Sequence, residues 1–296
     1  MIVRRASVMG QCMGVKRAVA MALAAAREAG EAGVFTLGPL IHNPQALAEL
    51  ESRGVRELPE ASLDEAGFPA TGLDGATVVI RAHGVPPSKR ERLLALGARV
   101  VDATCPRVLD SQRKAANYAA RGWQVVIAGE EGHGEVVGIA AQVPGAIVVG
   151  GPEDAARACE SGALSAFGPD GKTLPLALIA QTTITKEEYE AIRAVLAERF
   201  PVLEVADSIC PCTEDRLDAL ARLAGEVEAI VVVGGRNSAN AARLAGAARD
   251  LGKPAWLVET ADDLPREAFA FASVGISAGA STPDRLVDEV EAVLLQ

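Results

Sequence analysis

Aromatic residues are scarce in this chain. Six Phe, two Tyr and two Trp make up 3% of 296 residues, although 49% are hydrophobic. The core must therefore be built from Val, Leu, Ile and Ala, which suits parallel sheets covered by helices. Basic charge is short as well: 29 Lys and Arg face 39 Asp and Glu, a formal net charge of −10. That excludes the broad positive field behind non-specific nucleic-acid binding, so no nucleic-acid partner is expected. An anionic ligand would have to be held by local dipoles and chosen donors. No run of about 18 apolar residues occurs, so no membrane span is expected. The start, Met-Ile-Val-Arg-Arg-Ala-Ser-Val-Met-Gly, lacks the apolar run of a signal peptide. The expected location is cytoplasmic. There, the five cysteines are expected to bind metal, catalyse or pack rather than form disulfides.

What is present is a repeating corner. Val100 and Val101 read as a strand that runs into Asp102-Ala-Thr-Cys105-Pro106, after which the spacing turns helical. Asp207-Ser-Ile-Cys210-Pro211 repeats the frame, again between an apolar strand and a helix. A third version, without the Asp and Pro, is Val8-Met-Gly-Gln-Cys12-Met13. Counting outward supports a repeat. Each Cys is followed by a strand that ends in Gly, and the fourth residue after that Gly is polar: His42, His133 and Ser238. These lie 30, 28 and 28 residues after their cysteines. A second polar loop follows a later strand, with His83, Thr182 and Ser281 at 71, 77 and 71 residues. Strand and helix signals alternate throughout, which argues for a parallel α/β fold. The expectation is three similar small α/β domains in a pseudo-threefold trefoil, each aiming one Cys and two polar loops inward. Their expected extents are residues 13–103, 104–206 and 207–296, the last completed by 1–12. A Pro/Gly-rich linker is expected over about 59–75.

Three thiolates from three repeats suit an iron–sulfur cluster, and three ligands on a four-iron cube leave one iron open. Cys159 has no repeat partner and is expected to be a packing residue. Cys210 matches Cys105 in frame, while Cys212 of Cys210-Pro-Cys212 remains an alternative ligand. The three histidines, His42, His83 and His133, all fall in loops after strands. Each loop runs into a helix, whose N-terminal N–H groups favour anions. With Ser238, Asn240 and Ser281 as further donors, such loops suit a phosphate or diphosphate. Zinc held by the three histidines is the rival reading. Glu135, two residues after His133, is a candidate general acid if low dielectric keeps it protonated. Thr182 and Thr183 could relay its proton. The loop Gly234-Gly-Arg-Asn-Ser lacks the full glycine fingerprint of a dinucleotide site. Asp102 and Asp207 suggest structural caps at the corners.

Eight motifs together resemble one family, the 4-hydroxy-3-methylbut-2-enyl diphosphate reductases or LytB/IspH proteins, over nearly the whole chain. They are Cys12-Met-Gly-Val-Lys-Arg-Ala, Gly38-Pro-Leu-Ile-His-Asn, Arg81-Ala-His-Gly-Val, Asp102-Ala-Thr-Cys-Pro, Gly132-His-Gly-Glu-Val, Gln181-Thr-Thr, Asn237-Ser-Ala-Asn and Ser277-Ala-Gly-Ala-Ser-Thr-Pro. The resemblance implies a trefoil around a [4Fe-4S] cluster held by Cys12, Cys105 and Cys210, with one open iron for the substrate hydroxyl. It implies that His42, His83, His133, Ser238, Asn240 and Ser281 grip the diphosphate, and that Glu135, with Thr182 beside it, delivers protons. It further implies a two-electron reductive dehydroxylation of an allylic diphosphate, (E)-4-hydroxy-3-methylbut-2-enyl diphosphate, to isopentenyl and dimethylallyl diphosphate. This is the last step of the non-mevalonate isoprenoid pathway, with ferredoxin or flavodoxin as electron donor. Gln11, Gly134, Ala239 and Leu217 depart from the family pattern, where Phe, Pro, Ser and Gln are usual. The alternatives are a paralogue acting on another allylic diphosphate, a non-catalytic iron–sulfur sensor, and a zinc hydrolase.

Overall fold

The computed structural model describes residues 1–41, 43–63 and 73–296. Among these, the strands are β1 (Ile2–Arg5), β2 (Val34–Leu37), β3 (Val55–Leu58), β4 (Thr77–Ile80), β5 (Arg99–Asp102), β6 (Gln124–Ala128), β7 (Ile147–Val149), β8 (Leu176–Ala180), β9 (Leu203–Val205), β10 (Ala229–Val233), β11 (Ala255–Val258) and β12 (Ser273–Ala278). The helices are α1 (Met13–Glu28), α2 (Pro44–Ser52), α3 (Pro87–Ala95), α4 (Pro106–Ala120), α5 (Gly134–Ala140), α6 (Pro152–Glu160), α7 (Lys186–Ala197), α8 (Pro211–Ala224), α9 (Ala239–Asp250) and α10 (Asp284–Leu294). The strands fall into three four-stranded sheets, and the ladders between them are parallel. The α/β class expected from the alternation is the class observed. No helix among the described residues is long and apolar enough to cross a membrane.

The chain forms two compact units, Met1–Pro59 with Pro211–Gln296, and Glu60–Cys210. In the first, one sheet runs β1-β12-β10-β11. Its central strand β10 is buried along its whole length, and alternate residues serve opposite faces. Ile230 and Val232 pack with Leu220 and Leu223 of α8 and Leu244 of α9. Val231 and Val233 pack with Leu286, Val287 and Val290 of α10. Leu217 packs against the first of these cores. The β2–β3 pair also belongs to this unit.

The second unit contains the sheet β7-β6-β8-β9 and the β4–β5 pair. The same division of labour recurs. Val126, Leu176 and Leu178 pack with Tyr189, Ile192 and Leu196 of α7. Val125, Ile127 and Ile179 pack with Tyr118 of α4 and Val136 and Ile139 of α5. Cys159 on α6 packs against the α7 side.

The repeat is visible in the pairings. β1, β5 and β9 precede the three cysteines. Each lies parallel to the strand that precedes a second polar loop: β1 on β12, β5 on β4, β9 on β8. β2, β6 and β10, which precede the first polar loops, pair with β3, β7 and β11. Of the expected linker, residues 64–72 lie outside the described residues, and Glu60–Leu63 form a 3₁₀ turn.

Candidate active site

All three cysteines stand at the expected strand-to-helix corners. Cys12 and Cys105 are the residues just before α1 and α4, and Cys210 immediately precedes α8. Pro106 and Pro211 open their helices, where a missing N–H costs nothing. The corners share one backbone tie. Cys105 N–H donates to the Ala82 carbonyl at 2.9 Å, beside His83. Cys210 N–H donates to the Thr182 carbonyl at 2.8 Å, and Cys12 N–H to the Ala280 carbonyl, beside Ser281, at 3.2 Å. Each candidate ligand is thus fastened to the second polar loop of the preceding repeat.

Asp102 has a local role: its Oδ1 accepts the Thr104 N–H at 2.9 Å and the Thr104 hydroxyl, an Asx-type turn that shapes the corner before Cys105. The second corner is tied by other groups. Ser208 Oγ accepts the Ala180 N–H at 2.8 Å, and the Asp207 carbonyl accepts from Lys114 Nζ at 2.6 Å.

In the second unit, Glu135 is the chemical centre. It is 1% exposed. Thr182 N–H donates to its Oε1 at 2.7 Å, and the Thr182 hydroxyl donates to its Oε2 at 2.8 Å. Burial pushes the carboxyl up to about 7, against the opposing pull of the two Thr182 hydrogen bonds. Hydrogen bonds therefore run in sequence from Glu135 through Thr182 to the Cys210 backbone. His133 caps α5, its Nδ1 accepting the Glu135 N–H at 3.2 Å. With Nδ1 an acceptor, a neutral imidazole carries its proton on Nε2 and presents a donor there. The His83 and His133 rings meet edge to face with centroids 5.2 Å apart.

Close approach requires glycine at one position in these loops and crowds a second. A Cβ on Gly129, at the end of β6, would lie 2.6 Å from Gln181 Oε1, the atom that accepts the Glu130 N–H. A Cβ on Gly134 would lie 2.7 Å from an Arg81 guanidinium nitrogen. Arg81 pairs with Glu60 at 2.8 Å.

In the first unit, Ser238 caps α9 through Ala241 N–H at 3.3 Å. Asn240 Oδ1 accepts the Ala280 N–H at 3.2 Å, leaving its amide NH₂ as donor. That bond holds the first polar loop against the second, where Ser281 is half-buried. His42 lies outside the described residues. A cavity of about 250 Å³ is lined in part by Gln11, Ile41, Glu49, Arg53 and Arg285. Its charges are internally paired, since Glu49 bridges Arg53 and Arg285.

Among the described residues, no group of three or more His, Cys, Asp or Glu side chains stands close enough together to hold a metal ion. No disulfide joins the cysteines. Cys12 is engaged with another sulfur: it hydrogen-bonds to Cys212, and this bond and burial raise its thiol well above the usual range.

The family model for the LytB protein matches residues 3–295. The chain belongs to the LytB family. A relative from Treponema denticola named 4-hydroxy-3-methylbut-2-enyl diphosphate reductase is 45% identical over 299 residues, covering the whole of both chains. A solved structure of (E)-4-hydroxy-3-methyl-but-2-enyl diphosphate reductase, described as the terminal enzyme of the non-mevalonate pathway, superposes with a TM-score of 0.74 at 34% identity. It covers 100% of this chain and 99% of its own. The Plasmodium falciparum E-1-hydroxy-2-methyl-but-2-enyl-4-diphosphate reductase, 24% identical with a TM-score of 0.85, covers 100% of this chain and 88% of its own, and shares the fold.

Within this LytB chain, sequence reasoning had no account of Arg216. It is buried, and its Nη1 lies 2.7 Å from Cys212 Sγ. The signal was there: Cys212 and Arg216 are four apart on one helix and so share a face. The Glu60–Arg81 pair had no such signal, because 21 residues separate its members.

Proposed function

We propose that the chain is an oxidoreductase, a 4-hydroxy-3-methylbut-2-enyl diphosphate reductase. It would remove the hydroxyl of (E)-4-hydroxy-3-methylbut-2-enyl diphosphate as water, giving isopentenyl and dimethylallyl diphosphate. Full-length membership of the LytB family supports the reaction class. The observation that carries the chemistry is Glu135, buried, near-neutral in its titration, and linked through Thr182 to the Cys210 backbone. Loss of a hydroxyl as water requires a proton donor in a dry place, and a carboxyl that titrates near neutrality is one.

The proposed cofactor is a [4Fe-4S] cluster held by Cys12, Cys105 and Cys210. The donor set fits, being three thiols at equivalent corners, each tied to a second polar loop. When bound, the cluster would supply the electrons. Everything else falls to the chain. His42, His83, His133, Ser238, Asn240 and Ser281 are proposed to grip the diphosphate with neutral N–H and O–H donors. Once Glu135 is protonated its bond to the Thr182 hydroxyl reverses: the carboxyl donates to Thr182 Oγ, and that hydroxyl passes on its own proton, since a hydroxyl both donates and accepts.

The matching strand pairings support three α/β domains at 13–103, 104–206 and 207–296 with 1–12. A cytoplasmic location, with ferredoxin or flavodoxin as electron donor and no nucleic-acid or membrane partner, completes the reading. The test is anaerobic reconstitution with iron and sulfide, then turnover with a low-potential electron source. The expected outcome is iron and sulfide bound together and both five-carbon diphosphates formed. Zinc without sulfide, or a loaded protein that leaves this diphosphate intact, would refute the reading.

A further inference from the structure

The geometry points to Cys212 as a resolving thiol for Cys12: in the cluster-free chain the two form a reversible disulfide that protects the ligand sulfur from deeper oxidation. The inference rests on reading Cys12 as a cluster ligand. It begins from Arg216, which is 3% exposed. A buried guanidinium must be matched by acceptors, because leaving its N–H groups dry and unmade is costly. Arg216 uses its two terminal nitrogens on different corners. Nη1 lies 2.7 Å from Cys212 Sγ and 3.4 Å from the Cys212 carbonyl, and Nη2 donates to the Gly10 carbonyl. Its Nε is buried without a hydrogen-bond partner. One side chain thus clamps the first turn of α8 to the segment that ends in Cys12.

The consequence is a sulfur pair held in register. Gly10 N–H donates to the Ala278 carbonyl and Cys12 N–H to that of Ala280, so the Cys12 corner is fixed on its sheet side. Arg216 fixes the other side, and the Cys12 thiol reaches the Cys212 sulfur through a hydrogen bond. Both cysteines are partly exposed, so a small oxidant reaches them. A serine at 212 would satisfy the guanidinium equally well, and its hydroxyl could not close a covalent bond to Cys12. Closing an S–S bond of about 2 Å needs only a small approach from hydrogen-bonded contact.

The step balances with a peroxide as oxidant. Two thiols and one peroxide give one disulfide and two waters. Two electrons leave the sulfurs, the S–H protons pass to the waters, and the O–O bond breaks. A dithiol reverses the step and is itself oxidised to a disulfide. An unresolved sulfenic acid goes on to the sulfinic and sulfonic states, from which a ligand thiol is not recovered.

The test takes the full chain stripped of iron by a chelator and treated with hydrogen peroxide. Alkylation, digestion and mass spectrometry are expected to find the Cys12 peptide joined to the Cys212 peptide and released by a dithiol. A Cys12 that stays alkylatable, or that is recovered as sulfinic or sulfonic acid in the wild type, overturns the proposal. Cys212→Ser, with Cys212→Ala as a second variant, is then compared with the wild type for iron and sulfide uptake. Before oxidation the variants should load as the wild type does. After peroxide followed by dithiol the wild type should recover its loading, and the variants should lose it. Failure to load before oxidation would make Cys212 a ligand and overturn the inference, as would full recovery without it. Cys12→Ser reports separately on the ligand reading: full loading there sinks that reading and leaves the wild-type disulfide map standing.

Discussion

A carboxyl removed from water keeps its proton until the solvent-like interactions it lost are replaced. At Glu135 the replacement comes from Thr182 alone among the hydrogen bonds that affect its titration, and it is partial, so titration is lifted from 4.5 to about 7. The sign of the stability effect follows. A raised acid favours folding fully below about 4.5, and that favour is lost as pH rises through about 7. Glu135→Gln should therefore gain stability relative to the wild type across this window, by roughly 3 kcal/mol at its upper end. Denaturant midpoints for both proteins on either side of the window measure it. Turnover in the same variant should fall by ~10²–10⁴-fold with iron content unchanged. Near-normal turnover would remove Glu135 from proton delivery. Thr182 and the three cysteines were legible in the sequence because a repeat places them at countable distances, and Glu135 because it stands two residues after His133. Arg216 and Arg81 were not, since their roles come from approach in space to Cys212 and Gly134. Asp102 was legible as a cap, yet its apparent copy Asp207 takes part through its carbonyl, with Ser208 supplying the side-chain bond.

At the scale of elements, the central strands were plain and some edges were hidden. β8 and β10 are continuous apolar runs buried on both faces, and β6 is one after Gln124, and such runs announce themselves. β1, β3 and β7 did not. Ile-Val-Arg-Arg and Val-Arg-Glu-Leu carry charge at half their positions, and Ile-Val-Val is three residues long. Edge strands are kept short or charged to discourage further pairing, and the same feature erases their pattern. The helices that carry the cysteine corners depend on close packing against these sheets. The tightest case is Gly275 in β12, where a Cβ would lie 2.8 Å from two carbons of Leu223 on α8. Gly275→Ala should cost about 1–3 kcal/mol by overpacking. Gly30→Ala, at a position with nothing within 4 Å, should stay within about 0.5 kcal/mol. Urea unfolding of the two variants makes the comparison, and equal costs would show that α8 has room to move off the sheet.

The whole molecule sets a field that its own site must overcome. With a net charge of −10, it repels a diphosphate at long range. The residues proposed to hold that diphosphate are neutral donors: imidazoles, hydroxyls and an amide. Salt weakens the repulsion between like charges over a Debye length of about 10 Å at 0.1 M. It leaves short hydrogen bonds from neutral groups nearly untouched. If neutral donors grip the substrate, raising ionic strength from about 0.01 M to 0.1 M should raise kcat/KM or leave it level. If Lys and Arg side chains supply the grip instead, salt should lower kcat/KM steeply, as it does wherever cations meet phosphate. A small-molecule electron source must be used, so that the field acts on the diphosphate alone and not on a charged protein donor. Initial rates at limiting diphosphate across that range decide between the two. A steep fall would show that the three histidines act as cations, or that Lys or Arg outside the proposed set reach the substrate.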